Sequence, residues 1–308
     1  MTIRYERAAG LAALTLLLSA CAAGALPPKP TDLQPIKPPQ NMLGTTDDLG
    51  LVADVALQMA DRYGNDRVLV VLDLDNTLLA MEQDLGSDQW YYWQAGLEAD
   101  EPCSPLLVGD LLAAQGALFY ASAMRPTQPD AAAQVRRMQD AGVRAIVLTA
   151  RGPDYRLSTF RELRRNGFSF WSSALPPQSG FPETFMPEGG ERPVLYEDGV
   201  FLTAGQNKGV MLKALLKKTG QPDPTLIIMA DDKDSNLREM QTSFSWSGTA
   251  VHGWRFTGED ARVKAFDPPA AATQWEALRP ALMQIEDVLG PDNFSLPPQG
   301  TREGCGAG

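Results

Sequence analysis

The sequence predicts an α/β fold: a mostly parallel sheet with helices on its faces and a mostly helical insertion. Three observations predict it. Three apolar runs, residues 68–72, 143–148 and 225–230, read as strands buried on both faces. Amphipathic stretches at helical spacing separate them. Each run also ends in polar groups: Asp73, Asp75 and Thr77 after the first, Thr149 after the second, Asp231 and Asp232 after the third. Parallel strands joined by helical crossovers bring such ends to one edge of a sheet, where open α/β sheets bind their ligands.

Taken in order, the chain begins with Arg4 and Arg7, an apolar stretch at 11–18, and Leu18-Ser19-Ala20-Cys21. This is the three-part layout of a signal peptide over residues 1–20, and the apolar stretch is too short to span a bilayer. The last four residues resemble a bacterial lipobox. The resemblance implies cleavage before Cys21, lipidation of that cysteine and anchorage to a lipid bilayer. Ala22 in place of an aspartate points to the outer membrane, facing the periplasm. Ordinary cleavage without a lipid remains the alternative. Residues 21–44 are rich in proline and read as an extended tether. In an oxidising compartment Cys103 and Cys305 could pair.

The folded body is expected over residues 45–290. Thr46-Asp47-Asp48 opens a helix whose apolar residues include Leu49, Val52, Ala56 and Ala60, and Gly64 ends it. The first buried strand follows. An insertion over about 80–127 is too long for an ordinary loop and reads as mostly helical. Its Trp90-Tyr91-Tyr92-Trp93 run could line a pocket or stack on a base, or could pack the insertion on the body. Removing the insertion is expected to alter ligand choice more than folding of the sheet. Helices are then expected over 129–140 and 157–165, flanking the second strand. Glu197-Asp198-Gly199 between two apolar runs signals a hairpin. Asn207-Lys208-Gly209 opens a helix, the third strand follows, and a last strand (249–256) and a closing helix (274–288) complete the body. Residues 291–308 read as a disordered tail.

Composition narrows the chemistry. The 308-residue chain carries a net charge of −11, which argues against nucleic acid as a partner. It has one histidine, His252, and no Cys-x-x-Cys, so zinc sites and histidine triads have little material. In extended chain Asp73 and Asp75 point to the same side and repel unless a cation sits between them. Oxygen ligands without His or Cys favour Mg²⁺.

Four motifs in order resemble the haloacid dehalogenase (HAD) superfamily, whose fold is a Rossmann-like parallel sheet with a cap-like insertion. They are Asp73-Leu-Asp75-Asn-Thr77 after a buried strand, Thr149 closing a strand, Lys208 ahead of a helix, and Asp231-Asp232 with Asn236 beyond. With its lipoprotein signal the chain resembles the class C acid phosphatases, and in its Thr149-Ala-Arg151 and Asp231-Asp-Lys233 segments it is at least as similar to a group of uncharacterised HAD-type lipoproteins. The resemblance implies phosphoryl chemistry on a small phosphorylated substrate. Asp73 would be the nucleophile and Asp75 the acid and base. Mg²⁺ would be held by the Asp73 carboxylate, the Asp75 carbonyl and Asp231, with Asp232 one shell further out. Thr149 and Lys208 would bind the phosphoryl group, and Thr77 and Asn236 would orient the site. Arg151 is open between a phosphate contact and a structural pair. A binding lipoprotein without turnover and a phosphotransferase stay as alternatives. The sequence says nothing of oligomeric state.

Overall fold

The computed structural model of the protein describes residues 37–290. The signal segment, Cys21 with the tether up to residue 36, and the tail with Cys305 lie outside the described residues. Cys103 is disulfide-bonded, and the chain's two other cysteines are both outside the described part.

In chain order the body opens with strand β1 (Met42–Thr46), helix α1 (Leu49–Tyr63) and strand β2 (Val68–Leu72). The insertion runs from β3 (Leu79–Met81) through α2 (Asp88–Asp100) and α3 (Leu111–Ala121) to β4 (Met124–Pro126). Then come α4 (Ala131–Asp140), β5 (Arg144–Thr149), α5 (Arg156–Arg165) and the hairpin β6 (Leu195–Glu197) and β7 (Val200–Leu202). The chain continues with α6 (Lys208–Lys218), β8 (Leu226–Asp231), α7 (Asp234–Phe244) and β9 (Ala250–Phe256). It closes with α8 (Asp260–Lys264) and α9 (Pro268–Leu289).

The main sheet has the order β1-β9-β8-β2-β5-β7-β6. All its pairings are parallel except β6 with β7. Side chains alternate between two cores, as strand geometry requires. Val68, Val70 and Leu72 of β2 join one core, with residues of α1 and α4. Leu69 and Val71 join the other, with residues of α6 and α7. β5 and β8 divide in the same way, so the central strands are apolar on both faces. The chain leaves β2 toward β5 on one side and later fills β8 on the other. The carboxyl end of β2 is therefore the point where strand order reverses, and a crevice opens there.

The structure departs from the sequence reading in four places. The described end of the expected tether is not free: residues 42–46 are the edge strand β1, Tyr63 donates to the Lys37 carbonyl, and Asn41 accepts the Val251 N–H. The prolines that suggested a spacer stop at Pro39, and the chain beyond them pairs with β9. Helix α7 was not expected, because Asp231 to Asn236 reads as a polar loop. Yet Leu237, Met240 and Phe244 recur at helical spacing and are fully buried. Helix α9 begins at Pro268, where Asp267 caps it through the Ala270 N–H.

The fourth departure concerns the insertion. Its neck is the antiparallel pair β3–β4, but its helices do not stand alone. Trp90 and Leu118 share a small core with Ala271, Trp275 and Leu282 of α9. The Trp90 and Trp275 rings lie 6.3 Å apart, and Trp93 packs against Phe266. Removing the insertion would strip the apolar face of α9, so it belongs to the fold of the body. Accordingly Trp90→Ala is expected to cost about 3–5 kcal/mol, the usual range for a fully buried tryptophan. A chemical denaturation midpoint that stays unchanged would remove Trp90 from that core.

Candidate active site

Strand register builds the site. Leu72 pairs with Ala230 on one side and Val147 on the other. Asp73 and Asp231 thus leave the sheet side by side, and the Asp73 N–H donates to the Ala230 carbonyl at 2.9 Å. Alternation puts both side chains on the face covered by α6, the face of Val71 and Met229. The chain then turns sharply: Asn76 takes φ 59°, a left-handed conformation that asparagine tolerates, and Leu78 and Leu79 donate back to the Leu74 carbonyl.

Lys208 meets the two carboxylates from the first turn of α6. Its Nζ donates to Asp73 Oδ1 and to Asp231 Oδ2, each at 2.6 Å, and the side chain is buried. Asn207 caps this helix through the Val210 N–H. Gly209 sets its depth, because a Cβ there would stand 2.8 Å from the Glu239 carbonyl oxygen on α7. The motif therefore needs a glycine after the lysine so that α6 can press against α7. Burial works against the charge of Lys208, but Asp231 and Asp73 outweigh it and hold its pKa above the usual lysine value.

Asp73, Asp231 and Asp232 can bring carboxylate oxygens within 4.8 Å of one another. The three differ in what they have left to give. Asp231 Oδ1 accepts the Lys233 N–H and Asn236 Nδ2, and its Oδ2 accepts Lys208, which leaves one lone pair. Asp73 keeps Oδ2 free of donors among the described residues. Asp232 accepts no side-chain or loop hydrogen bond among the described residues. Burial, then the charges of Asp73 and Asp231, push its pKa up to about 9. Burial also raises Asp73, to about 7, with Asp231 and Asp75 adding to the effect and Lys208 opposing it. An oxygen cluster that resists ionisation on its own suits a small divalent cation. Asp73 and Asp232 have the most free capacity to hold it, and Asp231 keeps one lone pair. Asp231, the expected ligand, belongs to the same cluster and also anchors Lys208.

The remaining candidates divide. Thr149 lines the crevice; its hydroxyl oxygen accepts the Arg151 N–H, so its proton is free to donate. Asn236 orients Asp231. Thr77 does not reach the cluster: it is fully buried, and its hydroxyl has no partner among the described residues. Its main-chain carbonyl accepts the Thr127 hydroxyl, so its place is under the turn. The Asp75 carboxylate lines the same cavity as Asp73 and accepts two hydrogen bonds from Arg151, so Arg151 is paired with a protein carboxylate.

The structure adds residues that sequence patterns did not single out. Asp88, at the start of α2, pairs with Lys233 at 2.9 Å, and Lys233 lies 3.8 Å from the centre of the Tyr92 ring. The insertion is thereby tied to the loop that carries Asp231 and Asp232. Ser87-Asp88 reads as an ordinary helix start, so no local signal marks it. The four-aromatic run serves two ends: its tryptophans pack toward α9, while Tyr91 and Tyr92 line a cavity of about 1200 Å³. Asp73, Thr149 and Lys208 line the same cavity, with α3 and the Arg192 and Gln206 loops among its other walls.

A family model described as "Protein of unknown function (DUF2608)" matches residues 50–287. The chain belongs to this family. The match takes in every candidate site residue except Cys21. No curated protein matches the DUF2608 chain. Among solved structures, the crystal structure of cytosolic 5'-nucleotidase IIIB (cN-IIIB) bound to cytidine is similar at 13% identity and a TM-score of 0.35. The match covers 70% of this chain and 81% of that one.

The raised carboxylates make a pH prediction for this DUF2608 protein. Asp73 and Asp232 have folded-state pKa values above the ordinary 3.8, so the native state holds protons that the unfolded chain has released. Their contribution is fully present below the unfolded value and is lost as pH rises through about 7 and about 9. Melting in EDTA should therefore fall between pH 5 and pH 9. Mg²⁺ should raise the melting temperature most at the alkaline end, where a cation replaces the lost protons. A pH-independent Mg²⁺ effect would mean that this cluster is not where the ion binds.

Proposed function

We propose that the protein is a Mg²⁺-dependent phosphomonoester hydrolase of HAD type that works through an aspartyl-phosphate. The observation that carries the reading is Asp73. It stands at the end of a buried strand, bonded to Lys208, across from Asp232, at the foot of a cavity large enough for a metabolite. Asp73 is paired with Lys208 through one oxygen only; its other oxygen has no donor among the described residues, and the residue lines the cavity.

The chemistry follows from these side chains. Asp73 attacks phosphorus and the bond to the leaving oxygen breaks. Asp75 supplies the proton to that oxygen and later takes one from the water that hydrolyses the acyl phosphate. Lys208 and the Thr149 hydroxyl stabilise the charge on the phosphoryl oxygens. Asp73, Asp231, Asp232 and the Asp75 carbonyl are the groups that would hold Mg²⁺, which would neutralise charge between nucleophile and phosphate. Asp231 and Asn236 keep Lys208 and the loop in register.

The amino-terminal sequence supports a lipid anchor at Cys21 that holds the enzyme at the bacterial cell envelope, facing the periplasm. Palmitate labelling of the full chain, lost in Cys21→Ala, tests the anchor.

Hydrolysis of p-nitrophenyl phosphate by protein lacking residues 1–21 tests the activity. Turnover that needs Mg²⁺ and stops in EDTA is expected. Absence of turnover while Mg²⁺ still raises the melting temperature would favour a binding role for the same site.

A further inference from the structure

We infer that Arg151 is the positioning residue for the proton-transfer step and that the insertion reaches this step through Phe119; the inference rests on the phosphatase reading. The geometry is specific. Arg151 Nε donates to Asp75 Oδ2 at 2.8 Å and Nη2 donates to Oδ1 at 2.7 Å, a two-pronged pairing. Nη1 donates to Thr159 Oγ1 on α5 at 3.1 Å, and Nη2 also meets Met124 Sδ on the neck strand β4. The guanidinium carbon lies 3.9 Å from the centre of the Phe119 ring on α3. The side chain is 3% exposed.

Each nitrogen of this guanidinium has a protein partner, so Arg151 is not aimed at a substrate phosphate. What it determines is where the Asp75 carboxylate sits. Aspartate on its own has several accessible rotamers, and a proton donor must stand within hydrogen-bond reach of the leaving oxygen. The planar fork selects one rotamer. The fork in turn is fixed on three sides: by α5, by the neck of the insertion, and by an aromatic face that belongs to the insertion itself. Glu162, fully buried on α5, accepts the Met124 N–H at 2.7 Å and pins that neck. The insertion thus bears on the chemical step as well as on access to the cavity.

Leaving-group dependence tests this. A nitrophenolate departs with little help from an acid, while a phenolate needs the proton, and the two aryl phosphates are nearly the same size. Arg151→Met is expected to lower kcat on phenyl phosphate about tenfold more than on p-nitrophenyl phosphate, at nearly unchanged KM. Arg151→Lys should recover part of the loss. Phe119→Leu should act in the same direction with a smaller effect. In an Asp75→Asn background, Arg151→Met should have no further effect on the ratio of the two rates.

Other outcomes overturn the inference. A rise in KM on both substrates would make Arg151 a phosphate contact. An effect that persists in the Asp75→Asn background would separate it from Asp75. A lower melting temperature with unchanged kcat would make it purely structural. If the unsubstituted protein hydrolyses neither ester, the phosphatase reading itself falls and takes this inference with it.

Discussion

Asp73→Asn is expected to lower hydrolysis roughly 10⁴-fold or more, the scale seen when a covalent nucleophile is removed, while leaving the fold intact. The two halves of this expectation come from different features. The loss of activity follows because an amide does not form the acyl phosphate, and Asp231 and Asp75 are already committed: Asp231 is held by three donors, and Asp75 is held by Arg151. Survival of the fold follows from the ionisation state. Burial has already pushed Asp73 up to about 7, so its charge contributes little to stability near neutral pH. The amide retains an acceptor for Lys208, which keeps its second partner in Asp231. The melting temperature in EDTA should match or slightly exceed that of the unsubstituted protein at pH 8, because a buried carboxylate that ionises with difficulty is gone. Hydrolysis at the original rate would rule Asp73 out as the nucleophile.

The cluster was legible in the sequence because each of its members is tied to the end of a regular element. A buried strand announces itself by five or six apolar residues in a row, and Asp73, Thr149 and Asp231 each stand at such an end. Lys208 was legible as the first residue of a capped helix. Residues that meet the site through tertiary contact had no such marker. Asp88 looks like any acid in a first helical turn, and only the packing of α2 against α9 brings it to Lys233. The partition of Trp90-Tyr91-Tyr92-Trp93 depends on helix phase. Residues 90 and 93 share a face and 91 and 92 look elsewhere, yet which face meets the cavity is set by α9, nearly two hundred residues away. Strand β1 escaped because it is short and follows prolines. The different surroundings of Asp231 and Asp232 were out of reach for another reason: in sequence they are two equivalent acids, and only the folded structure shows that Asp231 accepts three hydrogen bonds from Lys208, Lys233 and Asn236.

Lys208→Met should be the most destabilising single change at the site. The lysine is buried between Asp73 and Asp231, and methionine fills a similar space without the charge. What remains is a group of carboxylates with no cation beside it. Removing one partner from a buried ionic group costs about 3–5 kcal/mol, which for a domain of this size corresponds to a fall of about 10 °C in melting temperature. Three comparisons separate this origin from simple loss of packing. First, the loss should be larger at pH 9 than at pH 5, since acid neutralises the stranded carboxylates and alkali ionises them. Second, Mg²⁺ should restore more stability to the variant than it adds to the unsubstituted protein. Third, Asp73→Asn in the same background should raise the melting temperature, a coupling opposite in sign to two independent losses. Lys208→Arg is not a rescue, because a planar fork does not fit a pocket shaped for a point charge 2.6 Å from each of two oxygens. A pH-independent loss, with no recovery on adding Asp73→Asn, would show that Lys208 serves as packing for α6 and that the charges around it balance without its help.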